Sequence, residues 1–129
     1  MMHLQIKHKK LGRRFYFYSA VIWTVVIMVL SLLSAAKMKE LQVVDILGID
    51  KAGHIFFYVI LSFLWAKAAG LNGKSQGLII FLCISFGFFL EILQFYLSIG
   101  RTFDFYDAFA NVIGVFTGIF LFNKTLKTN

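Results

Sequence analysis

The chain has 129 residues, of which 60% are apolar, 18% aromatic and only 15% charged. A soluble domain of this size cannot hide so much apolar surface, so the solvent implied is a lipid bilayer. The length allows one compact bundle over residues 1–129 and no separate soluble domain. The net charge of +7 does not mark a nucleic-acid partner, because the basic residues flank apolar runs and form no separate arm or recognition module.

In chain order, Lys7, Lys9, Lys10, Arg13 and Arg14 precede a first apolar span at about 15–33. This segment shares the layout of a secretory signal, with Ser34-Ala35-Ala36 as a cleavage site. Its apolar run exceeds the roughly 7–15 residues of a signal core, so it is expected to stay as the first helix. Further spans follow at about 54–69, 78–97 and 108–122. The second and fourth fall short of the ~20 residues a span needs, so their helices should run on into polar flanks. Gly48 and Gly53 bracket the end of the first loop, and Gly70-Leu71-Asn72-Gly73 marks a tight connection. With 16 Phe and no Pro, uninterrupted helices with an aromatic surface towards lipid are expected. The single cysteine, Cys83, rules out a disulfide framework within one chain and reads as a small side chain in an apolar run.

Nine of the 13 Lys and Arg residues fall at the N-terminus, in the second connection and in the C-terminal tail. The positive-inside rule then predicts an all-α, four-transmembrane-helix bundle with both termini cytoplasmic. All six acidic residues lie towards the opposite, outer side.

The polar exceptions inside the apolar pattern carry the functional argument. Asp50, Lys51 and His54 open the second span on one helical face, with Tyr58 one turn deeper. A helix cap and a headgroup contact would explain the first two equally well. Glu91 lies roughly 10 Å below the outer end of the third span, and Gln94 shares its face. A charged group at a helix centre costs roughly 2.5–3.5 kcal/mol on insertion scales, so Glu91 must be protonated, paired or open to a watery cleft. Arg101, Asp104 and Asp107 precede the fourth span, with Asn111 one turn further in. Arg101 has the planar fork that suits carboxylate or phosphate, and it is a candidate partner for Glu91. Asp107 reads as a cap for the fourth helix, and Asn111 needs a partner on another helix.

Helix alternation brings these groups to one depth zone, predicting an outward-facing polar cleft. Ala110, Gly114 and Gly118 recur every four residues and form a smooth stripe suited to close helix packing within the bundle, or else to a homodimer.

The pieces Asp50-Lys51-x-x-His54-x-x-x-Tyr58-x-x-Leu61, Glu91-x-x-Gln94 and Gly100-Arg101-x-x-Asp104-x-x-Asp107-x-x-x-Asn111-x-x-Gly114 stand in this order. Together they resemble the VanZ-like membrane protein family, over roughly residues 20 to 120. The sequence departs from that pattern where a proline is often seen, around Ser31 to Ala36 and at Ser98-Ile99, which bears on loop shape more than on the motif residues. The resemblance implies a bacterial cell-membrane protein of several spans. The family takes its name from a member associated with resistance to the glycopeptide teicoplanin.

The leading expectation is an envelope protein whose extracytoplasmic cleft binds membrane lipid or a lipid-linked cell-wall precursor. Arg101, Lys51 and His54 would meet phosphate, and Glu91, Gln94 and Asn111 would orient the other polar atoms. The alternative is a membrane-embedded enzyme acting on a lipid-linked substrate, with Glu91 and His54 as acid and base. No nucleophile elbow or phosphate-binding glycine loop supports that alternative. Four short spans without inverted repeats argue against a transporter, while an assembly role would also use the stripe and the ion pairs. No cofactor is expected. No metal is expected either, because a His54/Glu91/Asp107 set would draw its ligands from three helices without a local motif.

Overall fold

The computed structural model describes residues 2–37, 49–70, 76–97 and 103–127. They form four helices, α1 (Met2–Lys37), α2 (Ile49–Ala69), α3 (Gln76–Leu97) and α4 (Phe105–Lys127). Each holds a stretch long and apolar enough to cross a membrane: Leu11–Leu33, Asp50–Ala69, Gln76–Leu97 and Phe105–Lys127. Helices are the natural outcome, because backbone amides in lipid must find partners inside their own segment and no proline interrupts the ladder.

The helix ends show how local chemistry sets the boundaries. The Asp104 carboxylate Oδ1 accepts the Tyr106 N–H at 2.8 Å, and its carbonyl accepts the Ala108 N–H at 3.3 Å. Asp104 is therefore the N-cap of α4. Asp107, expected to cap, instead lies inside the first turn with its side chain fully buried. The helix starts at the cap, one turn before the apolar run does. At the far end of α2, Gly70 takes a left-handed φ of 61° and its N–H donates to the Lys67 carbonyl at 3.2 Å. Arg13 from α1 completes this terminus, donating from Nε to Ala68 O at 3.3 Å and from Nη2 to Ala69 O at 3.0 Å. A guanidinium on the last carbonyls also complements the negative end of the helix dipole.

Helices α2 and α4 form the central pair, brought together by the small-residue stripe. A Cβ at Gly114 would lie 2.6 Å from the Ile55 carbonyl oxygen and 2.8 Å from Tyr58 Cβ. One at Gly118 would fall on Ser62 Oγ and the Val59 carbonyl oxygen. The stripe thus lets two backbones of the same chain touch. Ser62 uses that closeness, its hydroxyl donating to Val115 O of α4 at 3.0 Å.

Helix α1 lies against α2, where Trp23 Nε1 donates to Phe57 O at 3.0 Å and Trp65 Nε1 to Thr24 Oγ1 at 3.1 Å. Helix α3 closes the bundle over α4 and α2. Tyr58, Leu61, Leu90, Val115, Ile119 and Phe122 fill the middle, while Phe15, Phe56, Phe81, Phe89, Phe109 and Phe120 point outwards, as a lipid-facing belt requires.

At the end of the bundle where α3 begins, Gln76 and Asn123 exchange two amide hydrogen bonds, Gln76 Nε2 to Asn123 Oδ1 and Asn123 Nδ2 to Gln76 Oε1 at 3.1 Å. Gln76 is buried, so its amide depends on that partner. Asn123→Ala is expected to lower stability by about 1–3 kcal/mol, the cost of leaving a buried polar group unsatisfied. Thermal unfolding of the detergent-solubilised protein measures this, and an unchanged midpoint would show that water replaces the lost amide.

Candidate functional site

Because successive helices alternate in direction, the start of α2, the end of α3 and the start of α4 meet at one end of the bundle. Nine of the ten polar residues singled out from the sequence gather there; the tenth, Arg101, lies outside the described residues. Its proposed pairing with Glu91 lies outside them as well.

The outermost layer is a chain of ion pairs. Lys51 Nζ stands 3.5 Å from Asp107 Oδ1 and 3.7 Å from Asp104 Oδ2. His54 Nε2 stands 3.7 Å from Asp107 Oδ2 and 3.8 Å from Asp50 Oδ1. The two oxygens of Asp107 are thus divided between an ammonium and an imidazole. The Asp107 side chain is 1% exposed, against 33% for Lys51 and 46% for Asp50, so the pairs reach from the surface to the interior. Sequence spacing linked His54 to Asp50 and Lys51 on its own helix; its contact with Asp107 on α4 comes from the closeness that Gly114 permits.

The next layer inwards holds Asn111, Tyr58 and the buried Glu91. Asn111 Oδ1 accepts from the Nδ1 side of the His54 ring at 3.0 Å, so Asn111 finds the interhelical partner its depth demanded. The Asn111 Nδ2 and the Tyr58 hydroxyl both crowd Gly87 of α3, each 3.2 Å from where a Cβ would stand. Glu91, one turn along from Gly87, is buried and within electrostatic reach of Tyr58. A Cβ at position 87 would press on both polar tips, each of which would have to yield by a few tenths of an ångström.

Gln94 marks the third side. Its Nε2 donates to the Ser31 carbonyl of α1 at 2.9 Å, while its buried Oε1 has no hydrogen-bond partner among the described residues. That oxygen belongs to a residue lining a cavity of about 140 Å³ between α1, α2 and α3, together with Asp50, His54, Tyr58, Ser31 and Phe57. At ~30 Å³ per water in the liquid, this is room for a few waters or one small polar group. The α1 contribution had no sequence signature, because Ser31 acts through its backbone carbonyl and Ile27 and Leu30 only supply the wall.

The described partners of His54 are Asp50, Asp107 and Asn111. Asp50, His54 and Asp107 present ligand-type atoms all within 4.8 Å of one another. A larger cavity of about 420 Å³, lined by apolar groups such as Leu61, Trp65, Ile79 and Cys83, lies deeper between the same three helices.

Comparison with known proteins found no match among curated proteins and none among solved structures. The VanZ/LLP1 family model matches residues 10–127, a stretch that takes in all four spans and every polar residue of the site. The chain therefore belongs to the VanZ/LLP1 family of membrane proteins.

Proposed function

We propose that this protein is a cell-envelope membrane protein whose polar cleft, opening on the extracytoplasmic side, binds the headgroup of an anionic or lipid-linked envelope amphiphile. The observation that carries the reading is the cavity between α1, α2 and α3, lined by Asp50, His54, Tyr58 and Gln94, whose buried Oε1 has no hydrogen-bond partner among the described residues. Buried polar groups are normally satisfied, and such an exception calls for something to fill it. The half-buried Lys51 and the forked guanidinium of Arg101, three residues before the α4 cap, supply the cationic contacts for phosphate. Apolar surface directly below, at Leu61 and Trp65, suits the chain of an amphiphile. The Lys/Arg distribution supports the outward orientation. A link to glycopeptide resistance of the teicoplanin type would arise by shielding or altering a lipid-linked drug target.

The test is native mass spectrometry of wild type, Glu91→Gln and Arg101→Ala in mild detergent after incubation with bacterial envelope lipids. Wild type is expected to retain selected anionic lipids. Arg101→Ala should lose them roughly tenfold while its neutral-lipid binding stays unchanged, a difference of ~1.4 kcal/mol. Equal loss of both lipid classes would remove Arg101 as the headgroup contact, and no selective lipid on wild type would sink the reading. Lipid masses altered only by wild type would instead assign turnover, the enzyme alternative with His54 and Glu91.

A further inference from the structure

The end of the bundle opposite the polar site is basic and carries no acidic side chain. The sequence has none before Glu40, between Asp50 and Glu91, or after Asp107, so none falls where α1 begins, α2 ends and α3 begins. Here the exposed Arg13 is held in one pose by the carbonyls of Ala68 and Ala69. Those bonds use Nε–H and one N–H of Nη2. Three of the five guanidinium donors remain, and they include the outer edge formed by Nη1 and Nη2. That edge has the paired geometry that suits a phosphate. Lys67 is placed differently, its Nζ standing between 5.6 and 6.0 Å from the ring centres of Tyr16, Phe63 and Phe122.

Beside this guanidinium begins the cavity of about 420 Å³ between α1, α2 and α3. Ala68 and Ala69, which hold Arg13, both line it, and so does Phe17, one turn from Arg13 on the same face of α1. From Ala69 to Leu61, and from Phe17 to Thr24, it runs for about 10–12 Å at 1.5 Å per residue. The polar members of its wall are already satisfied. Trp65 Nε1 donates to Thr24 Oγ1 at 3.1 Å, and that hydroxyl donates to the Ala20 carbonyl at 2.7 Å. What faces the space is aliphatic and aromatic surface with the Cys83 side chain, a lining that stays dry and takes hydrocarbon. Phe17 and Leu82 are about half exposed, so the slot is reached from the lipid-facing side of the bundle. Towards the polar site, Gln94 ties α3 to α1 through the Ser31 carbonyl.

We propose that this slot is a second lipid site, for an anionic phospholipid of the leaflet that meets the start of α1. Its phosphate sits on the outer edge of Arg13, and one acyl chain runs along the cavity towards Leu61. The apolar wall takes the chain, and the charge selects the headgroup. A zwitterionic lipid offers the same phosphate but brings its own cation to an end of the bundle that has no acidic side chain to receive it. The site does not rest on the cleft reading. An amphiphile held through Arg101 would approach Leu61 and Trp65 from the opposite end, so the two can be told apart.

The wall carries its own reporter. Of the two tryptophans, Trp65 lines the cavity and Trp23 does not, so the full chain with Trp23→Phe fluoresces from the slot alone. Reconstituted in phosphatidylcholine vesicles, it is titrated with phosphatidylglycerol or phosphatidylcholine brominated on the acyl chains, because bromine quenches tryptophan on contact. Phosphatidylglycerol is expected to reach half-quenching at about fivefold lower lipid fraction than phosphatidylcholine. In this background Arg13→Gln should bring the two midpoints together, and Ala69→Phe, at the half-buried mouth, should raise both. Equal midpoints before any further substitution, a gap that survives Arg13→Gln, or quenching indifferent to Ala69→Phe would each overturn the site. A gap lost in Arg101→Ala but kept in Arg13→Gln would assign the chain to an amphiphile entering from the cleft, and would overturn it too. A gap that depends on Arg13 and not on Arg101 upholds this site, whatever becomes of the cleft.

Discussion

Gly118→Ala is expected to destabilise the protein by about 2 kcal/mol or more, although alanine is the better helix former by roughly 1 kcal/mol. The added methyl would fall on Ser62 Oγ and on the Val59 carbonyl oxygen, and a backbone oxygen cannot rotate out of the way. Relief requires α2 and α4 to part, which loosens the Ser62–Val115 hydrogen bond and the contacts of Val115 and Phe122 in the core. Overpacking of this kind costs typically ~1–3 kcal/mol, and the rigid neighbour places this case at the upper end. Gly114→Ala should behave similarly, since its methyl would meet the Ile55 carbonyl oxygen at 2.6 Å. Gly12→Ala is the control. Nothing lies within 4 Å of a Cβ there, so it should raise stability by about 0.5–1 kcal/mol. Unfolding by titration of denaturing detergent into mild-detergent micelles gives all three values. Matching gains at Gly12, Gly114 and Gly118 would mean that α2 and α4 are not in backbone contact.

Asp107→Asn is the second large effect. Its carboxylate is buried between Lys51 and His54, and removing one member of a buried ion pair costs about 3–5 kcal/mol because the other charge stays behind. Lys51 is one-third exposed and has Asp104 as a second partner, so a loss of about 2–3 kcal/mol is the better expectation. Asp104→Asn provides the contrast. Asparagine caps a helix as well as aspartate does, and a half-exposed ion pair is worth at most about 1 kcal/mol. If the Asp107 and Asp104 variants lose the same amount, the burial of Asp107 does not govern the energetics of this end.

How much of this was legible in the sequence varies residue by residue. The four helices follow from apolar runs that a bilayer turns into spans, and the gathering of His54, Gln94, Asp107 and Asn111 follows from alternation alone. Which aspartate caps α4 was not legible. Asp104 and Asp107 are both acidic residues before an apolar run, and hydropathy places the helix start at Ala108, whereas the cap places it at Phe105. The misplacement matters, because capping would have put Asp107 in solvent and instead it meets His54. Two other features leave no trace in residue types. Gln94 finds a backbone carbonyl of α1, which every residue possesses, and Gln76 meets Asn123 across 47 positions of chain. The glycine stripe was readable as a contact surface, and the structure supplies its counterpart, the Ile55 to Ser62 face of α2.

The α2–α4 pairing also sets a timetable for biogenesis. Helix α2 carries Asp50, Lys51 and His54 to the membrane, yet Asp107, Asn111 and the glycines that accept its face come only with α4, two helices later. At about 5–20 residues per second, several seconds of synthesis separate the two. During that interval the second helix must wait beside the insertion machinery, or at the interface, with its polar end in water. The bundle closes after the fourth helix arrives, so a ribosome stalled before α4 leaves a nascent chain that quality-control proteases can recognise by its uncovered charges.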